Sequence, residues 1–507
     1  MSILHFFKDK DQKKEPAAEQ SIYSSIRSAL QAGGTLPPVF CLRKKAENNK
    51  ITYADGAMDG IAIYHMGHGE QDMQPLCDVV KLIATGNFSE AEAKLLAYFS
   101  ADEYAAMLPL IDGLQEWIIQ NRDDIEPNNL YHFALKTLKE SPHIECVKFA
   151  LSILELLDKG TNKETREIVE ILAASDEFTL FCLFIMRRWP DANQAIFEAA
   201  KKVHGWGRVH AVEQLSAETD EIKHWLLYEG CDNYILAEYS ALTCTNKADL
   251  KGLLQNNTIT PKDFTVAAAL IDSLLPEGPV IGISGIEEPD ALLANFLKHA
   301  EKSTLSIPEY ETVLNIQKYC EQKGWPRKDA VTETCKQLLT SDACAKAIEE
   351  AISQGKGFRL AKRLSLDYSR RTYEQIASDF EGSYQLIDLL LPDGLFVDEI
   401  IALFEQQLPL AEMSTGPADK LGLGSEYAKY HMLSYIVQHL KDFPGKGDRL
   451  LLCALHVPVV NCRNMALNVL EAWREKKVSF SLELNRALER LKRKEVNEDI
   501  KKRLESF

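Results

Sequence analysis

The chain has 507 residues, 46% of them hydrophobic and 26% charged, with a formal net charge of -17 at pH 7. Such a composition can fill large cores in roughly two to four structural units. Its acidic balance argues against general nucleic-acid binding, which needs a basic footprint to displace counterions from phosphates.

Residues 1–20 open as MSILHFFKDKDQKKE, a very short apolar run followed at once by charges. They read as a loose charged N-terminus and not as a secretory signal. Residues 21–74 read as a small β-containing segment. PPVFCL, KITY and GIAIYHM are short, rich in β-formers and separated by the turn residues Asn48, Asn49, Asp55 and Gly56. From residue 75 onward the period is helical. In CVKFALSILELLDKG, Val147, Ala150, Leu151 and Leu154 follow the i, i+3, i+4, i+7 spacing. Leu156 and Leu157 add apolar surface on other faces, which suits a helix wedged between neighbours. TPKDFTVAAALIDSLLPEG starts at Thr260 and Pro261 and stops at Pro276 and Gly278. Further helices are expected over 127–140, 163–174, 177–188, 219–229, 343–354, 459–475 and similar stretches, with short joints throughout. Such a train of antiparallel helices builds an α-solenoid.

Two stretches interrupt the train. LPEGPVIGISGIEEPD, Leu275 to Asp290, carries three prolines and three glycines. It marks a Gly/Pro linker at 278–290 between an N-terminal helical repeat array over 75–277 and a C-terminal one over 291–507. A second looser segment is LAEMSTGPADKLGLGS, Leu410 to Ser425. The chain closes on LNRALERLKRKEVNEDIKKRLESF. Its mixed charges read as a solvated end helix or cap, with a partner-binding helix as the alternative.

VHGWGRVHAVEQL, Val203 to Leu215, packs two histidines, a tryptophan, an arginine and a glutamate into thirteen residues. It has the density of an active site. However, Arg208, Ala211, Val212 and Leu215 match Arg463, Ala466, Leu467 and Leu470, both as R-x-x-A-[VL]-x-x-L. That pattern resembles the second helix of HEAT-type repeats. The alanine allows close helix approach, and the larger residues fill the groove between stacked helices. The arginine is expected to bond the turn or an acid of an adjacent repeat. The remaining helices match in length and rhythm only, so the repeat is degenerate. The fold expected is therefore mainly α: an α-solenoid of degenerate HEAT-like helical repeats with a small N-terminal β-containing segment.

Candidate chemistry is sparse. YHMGHGEQDM places His65, His68, Glu70 and Asp72 close together. Imidazoles and carboxylates can share a divalent ion, but no H-E-x-x-H or paired cysteines complete a known metal pattern. A solvated turn leaving the small sheet is the alternative reading. Gly282 and Gly285, and Gly422 and Gly424, lie in glycine-bearing loops without the spacing of a dinucleotide fingerprint. There is no P-loop, no G-x-S-x-G elbow and no haem-attachment motif. Trp225, Tyr228, Tyr234 and Tyr239 read as the core of two packed helices, with an aromatic pocket as the alternative. The eleven cysteines form no C-x-x-C pair, which fits a reducing cytoplasm.

MSILHFF, NKITYADGAMDGIAIYHMGHG, HGWGRVHAVEQL and WLLYEGCDNYILAEYSALTC together resemble a bacterial family labelled limonene hydroxylase, along most of the chain. The resemblance implies a monooxygenase-type oxidoreductase. It would convert the monoterpene limonene, a small apolar substrate, to carveol and perillyl alcohol, with NAD- or NADP-dependent oxidation of the alcohols. It carries over no catalytic residue. The residues themselves show no cofactor motif and favour a non-enzymatic scaffold with a protein partner on the solenoid face. Neither reading calls for nucleic acid or a membrane span.

Overall fold

A computed structural model describes residues 20–43, 53–67, 71–101, 105–322 and 328–507. Among these residues the regular structure is helical, and the β structure is one isolated bridge between Lys420 and Val459. The protein is mainly α and built from helical repeats. It divides into two compact units, with the division between Leu292 and Leu293.

In the first unit, Ile144–Leu157, Thr179–Met186, Trp206–Gln214, Glu238–Lys247 and Pro261–Leu274 form a series, each touching the next. The helices that precede the first four of these in sequence, Pro127–Glu140, Lys163–Leu172, Ala192–Ala200 and Asp220–Tyr228, each pack on their follower. Contact between every second helix is the signature of stacked helical repeats, because each pair buries its apolar face only against the next pair. The second unit repeats the scheme. Val397–Gln407, Ala428–His439 and Val460–Glu475 form one series, and Leu410–Met413, Asp448–Ala454 and Leu482–Lys494 the other. Leu433, Ile436, Leu450, Leu467 and Leu470 fill the core between them.

Local chemistry sets the helix ends. Thr260 and Asp263 form a reciprocal capping box, and Pro261 takes the first helical position, where its missing N–H costs nothing. Asn162, Thr219, Ser341, Ser481 and Asn497 cap their helices by accepting bonds from orphan amides. The closing charged stretch is two helices, Leu482–Lys494 and Glu498–Leu504. The break falls where Glu495 turns inward and Asn497 caps the second of the two.

The small β-containing segment is a correction. Ala57–Ile61 is an α-helix that runs on as a π-turn over Ala62–Met66, so most of GIAIYHM is helical. Of KITY, residues 50–52 lie outside the described residues, and PPVFCL is irregular, with a turn at Pro38 and Val39 and a bend at Leu42. A short run of β-formers has no period that separates a strand from a buried helix. Here the backbone decided it: no neighbouring strand is present among the described residues to pair its amides, and the helix satisfies them internally. Gly56, at φ 75°, opens the helix in a conformation only glycine adopts freely. Residues 1–19 of the expected loose terminus lie outside the described residues. The stretch 278–288 contains one short 3-10 turn, Ile283–Gly285, with Ile283 and Ile286 buried. Among the described residues, no helix is long and apolar enough to cross a membrane.

Candidate functional site

The densest chemistry lies inside the first unit. The helix Ile144–Leu157 is apolar on nearly every face, yet Lys148 sits in its middle with no exposed surface. A buried ammonium must be paired or it loses its charge. Lys148 Nζ lies 2.7 Å from Asp59 Oδ2, 2.8 Å from Glu177 Oε1 and 3.1 Å from Glu145 Oε1. Three donors thus meet three carboxylates, which saturates the group. Glu177 also accepts from Arg43 Nη2 at 2.8 Å and from the Gly56 amide at 2.8 Å. Glu145 accepts the Met107 amide at 2.7 Å.

The electrostatics stem from this arrangement. Burial works against the charge of Lys148, but Asp59, Glu145 and Glu177 outweigh it and hold the ammonium well above its ordinary range. Burial likewise pushes Glu177 up, and Lys148 and Arg43 more than reverse it, bringing the carboxyl down to about 2. Burial raises Glu145, with Lys148 opposing and Asp59 adding. A lysine nucleophile needs a free amine near neutral pH. Lys148 is a locked cation without access to solvent, so this node is a structural clamp. It ties the Ala57–Ile61 helix to Ile144–Leu157 and to the turn before Thr179–Met186.

The HGWG stretch belongs to the same region. Asp176 Oδ1 accepts the Gly205 amide at 2.9 Å and the Gly207 amide at 2.8 Å, capping the helix Trp206–Gln214 from another turn. Crowding by protein raises its carboxyl to about 6 in spite of those amides. A Cβ at Gly207 would lie 2.4 Å from Thr179 Oγ1, and one at Gly205 would lie 3.0 Å from Asp176 Cγ. The two glycines flank Trp206 because the carboxylate occupies that space. Trp206 in turn lies on Gly60, where a Cβ would meet its ring at 2.2 Å.

Arg208 donates from Nε to the Val203 carbonyl at 2.7 Å and from Nη1 to the Glu229 carbonyl at 3.0 Å. Arg463 does the same for Val457 and Ala418, each at 2.9 Å, and adds two bonds to the buried Glu495 at 2.8 and 2.9 Å. Ala211, Val212, Leu215, Ala466, Leu467 and Leu470 are all buried. The shared pattern is therefore a repeat device: an arginine that ties down the turn before its own helix.

Around Trp206 lie Tyr64, His210 and Tyr239, with ring centroids at 5.7, 6.2 and 4.9 Å. His210 is buried, which lowers its imidazole to about 4, and its Nε2 finds no partner among the described residues. It is a neutral packing residue at physiological pH.

Of the four residues expected to share a metal, His65 is exposed and shares a hydrogen bond with the Tyr239 hydroxyl. Asp72 accepts the Gln74 amide at 2.9 Å, at the entry to the helix Gln74–Ala84. His68 and Glu70 lie outside the described residues. Among the described residues no group of three or more His, Cys, Asp or Glu is placed to hold a metal ion. Trp225 packs on Phe197 and Arg208, Tyr228 bonds Asp263, and Tyr234 stacks on His204 at 5.1 Å. They serve separate contacts; Tyr239 alone joins the Trp206 cluster. In the Gly282–Gly285 loop, the amides of Gly282 and Ser284 point at Glu277, at 3.1 and 2.9 Å. A carboxylate from the same chain thus sits where a phosphate would be received.

Sequence reasoning missed Lys148, Glu145, Glu177, Asp176 and Asp59. One signal was present: a lysine in the apolar run CVKFALSIL demands buried partners, though not which ones. No protein-family model, curated protein or solved structure matches the chain.

Proposed function

We propose that the protein is a helical-repeat scaffold that acts by binding other proteins. The observation that carries this reading is the state of its densest chemistry. Lys148, Asp59 and Glu177 are closed off from solvent and saturated by one another, so the arrangement builds the fold and offers nothing to a substrate. The repeat device at Arg208 and Arg463 supports it, because stacked repeats present long faces suited to protein partners. The eleven cysteines are all free and nine are buried, which suits work in the reducing cytoplasm.

The test is cross-linking capture with the full chain, followed by reconstitution of each recovered protein from purified components. A partner that binds the purified chain with defined stoichiometry supports the scaffold. Recovery of nothing that reconstitutes would overturn it.

A second reading comes from the family resemblance: oxidation of limonene to carveol and perillyl alcohol, with NAD or NADP serving the alcohol step. Formation of those alcohols by homogeneous protein is its mark.

A further inference from the structure

The second unit carries an open groove of about 890 Å³ between the short helix Leu410–Met413, the helix Asp448–Ala454 and the helix Leu482–Lys494. Its lining includes the half-buried Leu410 and Leu452 and the buried Cys453, and its exposed edge carries Arg449, Arg486, Arg490 and Arg493. The groove also holds Glu483 and Glu489, and Glu489 is already bonded to Lys492 at 2.9 Å. Arg449 is paired with Glu405 at 3.0 Å.

Arg486, Arg490 and Arg493 are exposed and make no ion pair or hydrogen bond among the described residues. Their spacing, i, i+4 and i+7, puts them in one row along the helix, spanning about 10 Å. What distinguishes them, in a chain of net charge -17, is that three exposed cations share one row on one helix. Their row also differs from a phosphate site, in which donors converge on one point. A row of forked cations beside an apolar lining is complementary to a row of carboxylates beside apolar side chains.

We propose that this groove binds an acidic amphipathic helix of a partner protein. Its carboxylates recur every three to four residues against Arg486, Arg490 and Arg493, and its apolar face lies on Leu410 and Leu452. This is helix-in-groove recognition, with the arginines setting register and approach. The proposal rests on the scaffold reading and specifies the partner's chemistry.

The test uses the full chain and a fluorescein-labelled synthetic helix with glutamates at i, i+4 and i+7 and leucines on the adjoining face. Three other probes accompany it: the same composition scrambled, the same helix with lysine for glutamate, and a single-stranded oligonucleotide of equal charge. The expected result is saturable binding of the patterned acidic helix alone, weakened roughly tenfold or more in the Arg486→Glu, Arg490→Glu, Arg493→Glu variant and by added salt. All three substitutions are on the exposed face, and an unchanged helical circular dichroism spectrum establishes that the variant is folded. Absence of binding, equal binding of the scrambled helix, an unaffected variant, or tighter binding of the oligonucleotide at the same residues would each overturn the proposal. If a reconstituted partner still binds the triple variant as well as the unaltered chain, the groove is refuted while the scaffold reading stands.

Discussion

Lys148 in the first unit and Arg490 in the second are both cations on helices, and they are opposites. Lys148 lies inside, touching three carboxylates within 3.1 Å, and Arg490 lies in solvent on the rim of a groove, with no ion pair among the described residues. A charge taken out of water must be compensated on the spot, so its geometry is determined by the fold. A charge left in water is held by nothing and is available to whatever arrives. On the proposed reading, the contrast separates residues that make this protein from residues through which it would meet a partner.

The largest effect is expected from breaking the inner case. Lys148→Met leaves Asp59 and Glu145 without their cation and Glu177 with Arg43 alone, and should cost about 3–5 kcal/mol of stability. Urea denaturation followed by tryptophan fluorescence measures it. A midpoint equal to that of the unaltered chain would mean the node does not clamp the fold.

The two repeat arginines sharpen the comparison. Arg463→Leu strands the buried Glu495 as well as two carbonyls, whereas Arg208→Leu strands two carbonyls and the His204 ring nitrogen but no carboxylate. The first should cost about 3–5 kcal/mol and the second about 1–3 kcal/mol. The reverse order in paired denaturation curves would show that Glu495 contributes little.

Gly60→Ala tests packing without changing charge. The added methyl would meet Trp206 at 2.2 Å, and overpacking of this kind costs about 1–3 kcal/mol. Near-ultraviolet circular dichroism should report the displaced indole, and an unaltered spectrum would count against the close approach.

The smallest effects are titrations. Asp176 is raised to about 6 in the folded chain, so its contribution is complete below its ordinary 3.8 and is lost as pH rises through 6. His210 is held neutral down to about 4, so acidification from its ordinary 6.5 favours the unfolded chain. The two oppose each other between about pH 6 and 4. Asp176→Asn should therefore make stability fall more steeply with acid over that window, and His210→Phe should make it fall less steeply. Parallel curves for both variants would reject these assignments. Glu177, held at about 2, supplies stability above its ordinary 4.5 that disappears as pH falls toward 2.

Much of the fold was legible because helices announce their ends. Pro127 opens a helix that closes at Glu140, as its period indicates, and Thr260 with Asp263 marks another. The arginine of R-x-x-A-[VL]-x-x-L could be placed against its own turn because one carbonyl partner of each, Val203 for Arg208 and Val457 for Arg463, lies within a few residues. Gly60 to Met66 was misleading because Ile61, Ile63 and Tyr64 favour strands by type, while burial against Trp206 and the absence of a pairing strand among the described residues decide otherwise. The node was invisible for a different reason. Asp59 and Glu177 lie far from Lys148 in sequence, and only the stacking of helices brings them together. In the groove, the spacing of Arg486, Arg490 and Arg493 was readable, but not that they would line one rim beside an apolar lining.

If this chain works by binding and not by oxidation, product analysis by gas chromatography with mass spectrometry tests that claim most directly. Homogeneous protein would be incubated with limonene, oxygen and NADH or NADPH, with and without added iron and flavin, beside a mock purification. The expected result is no alcohol above the mock at any protein concentration. Carveol or perillyl alcohol rising in proportion to the protein would contradict it.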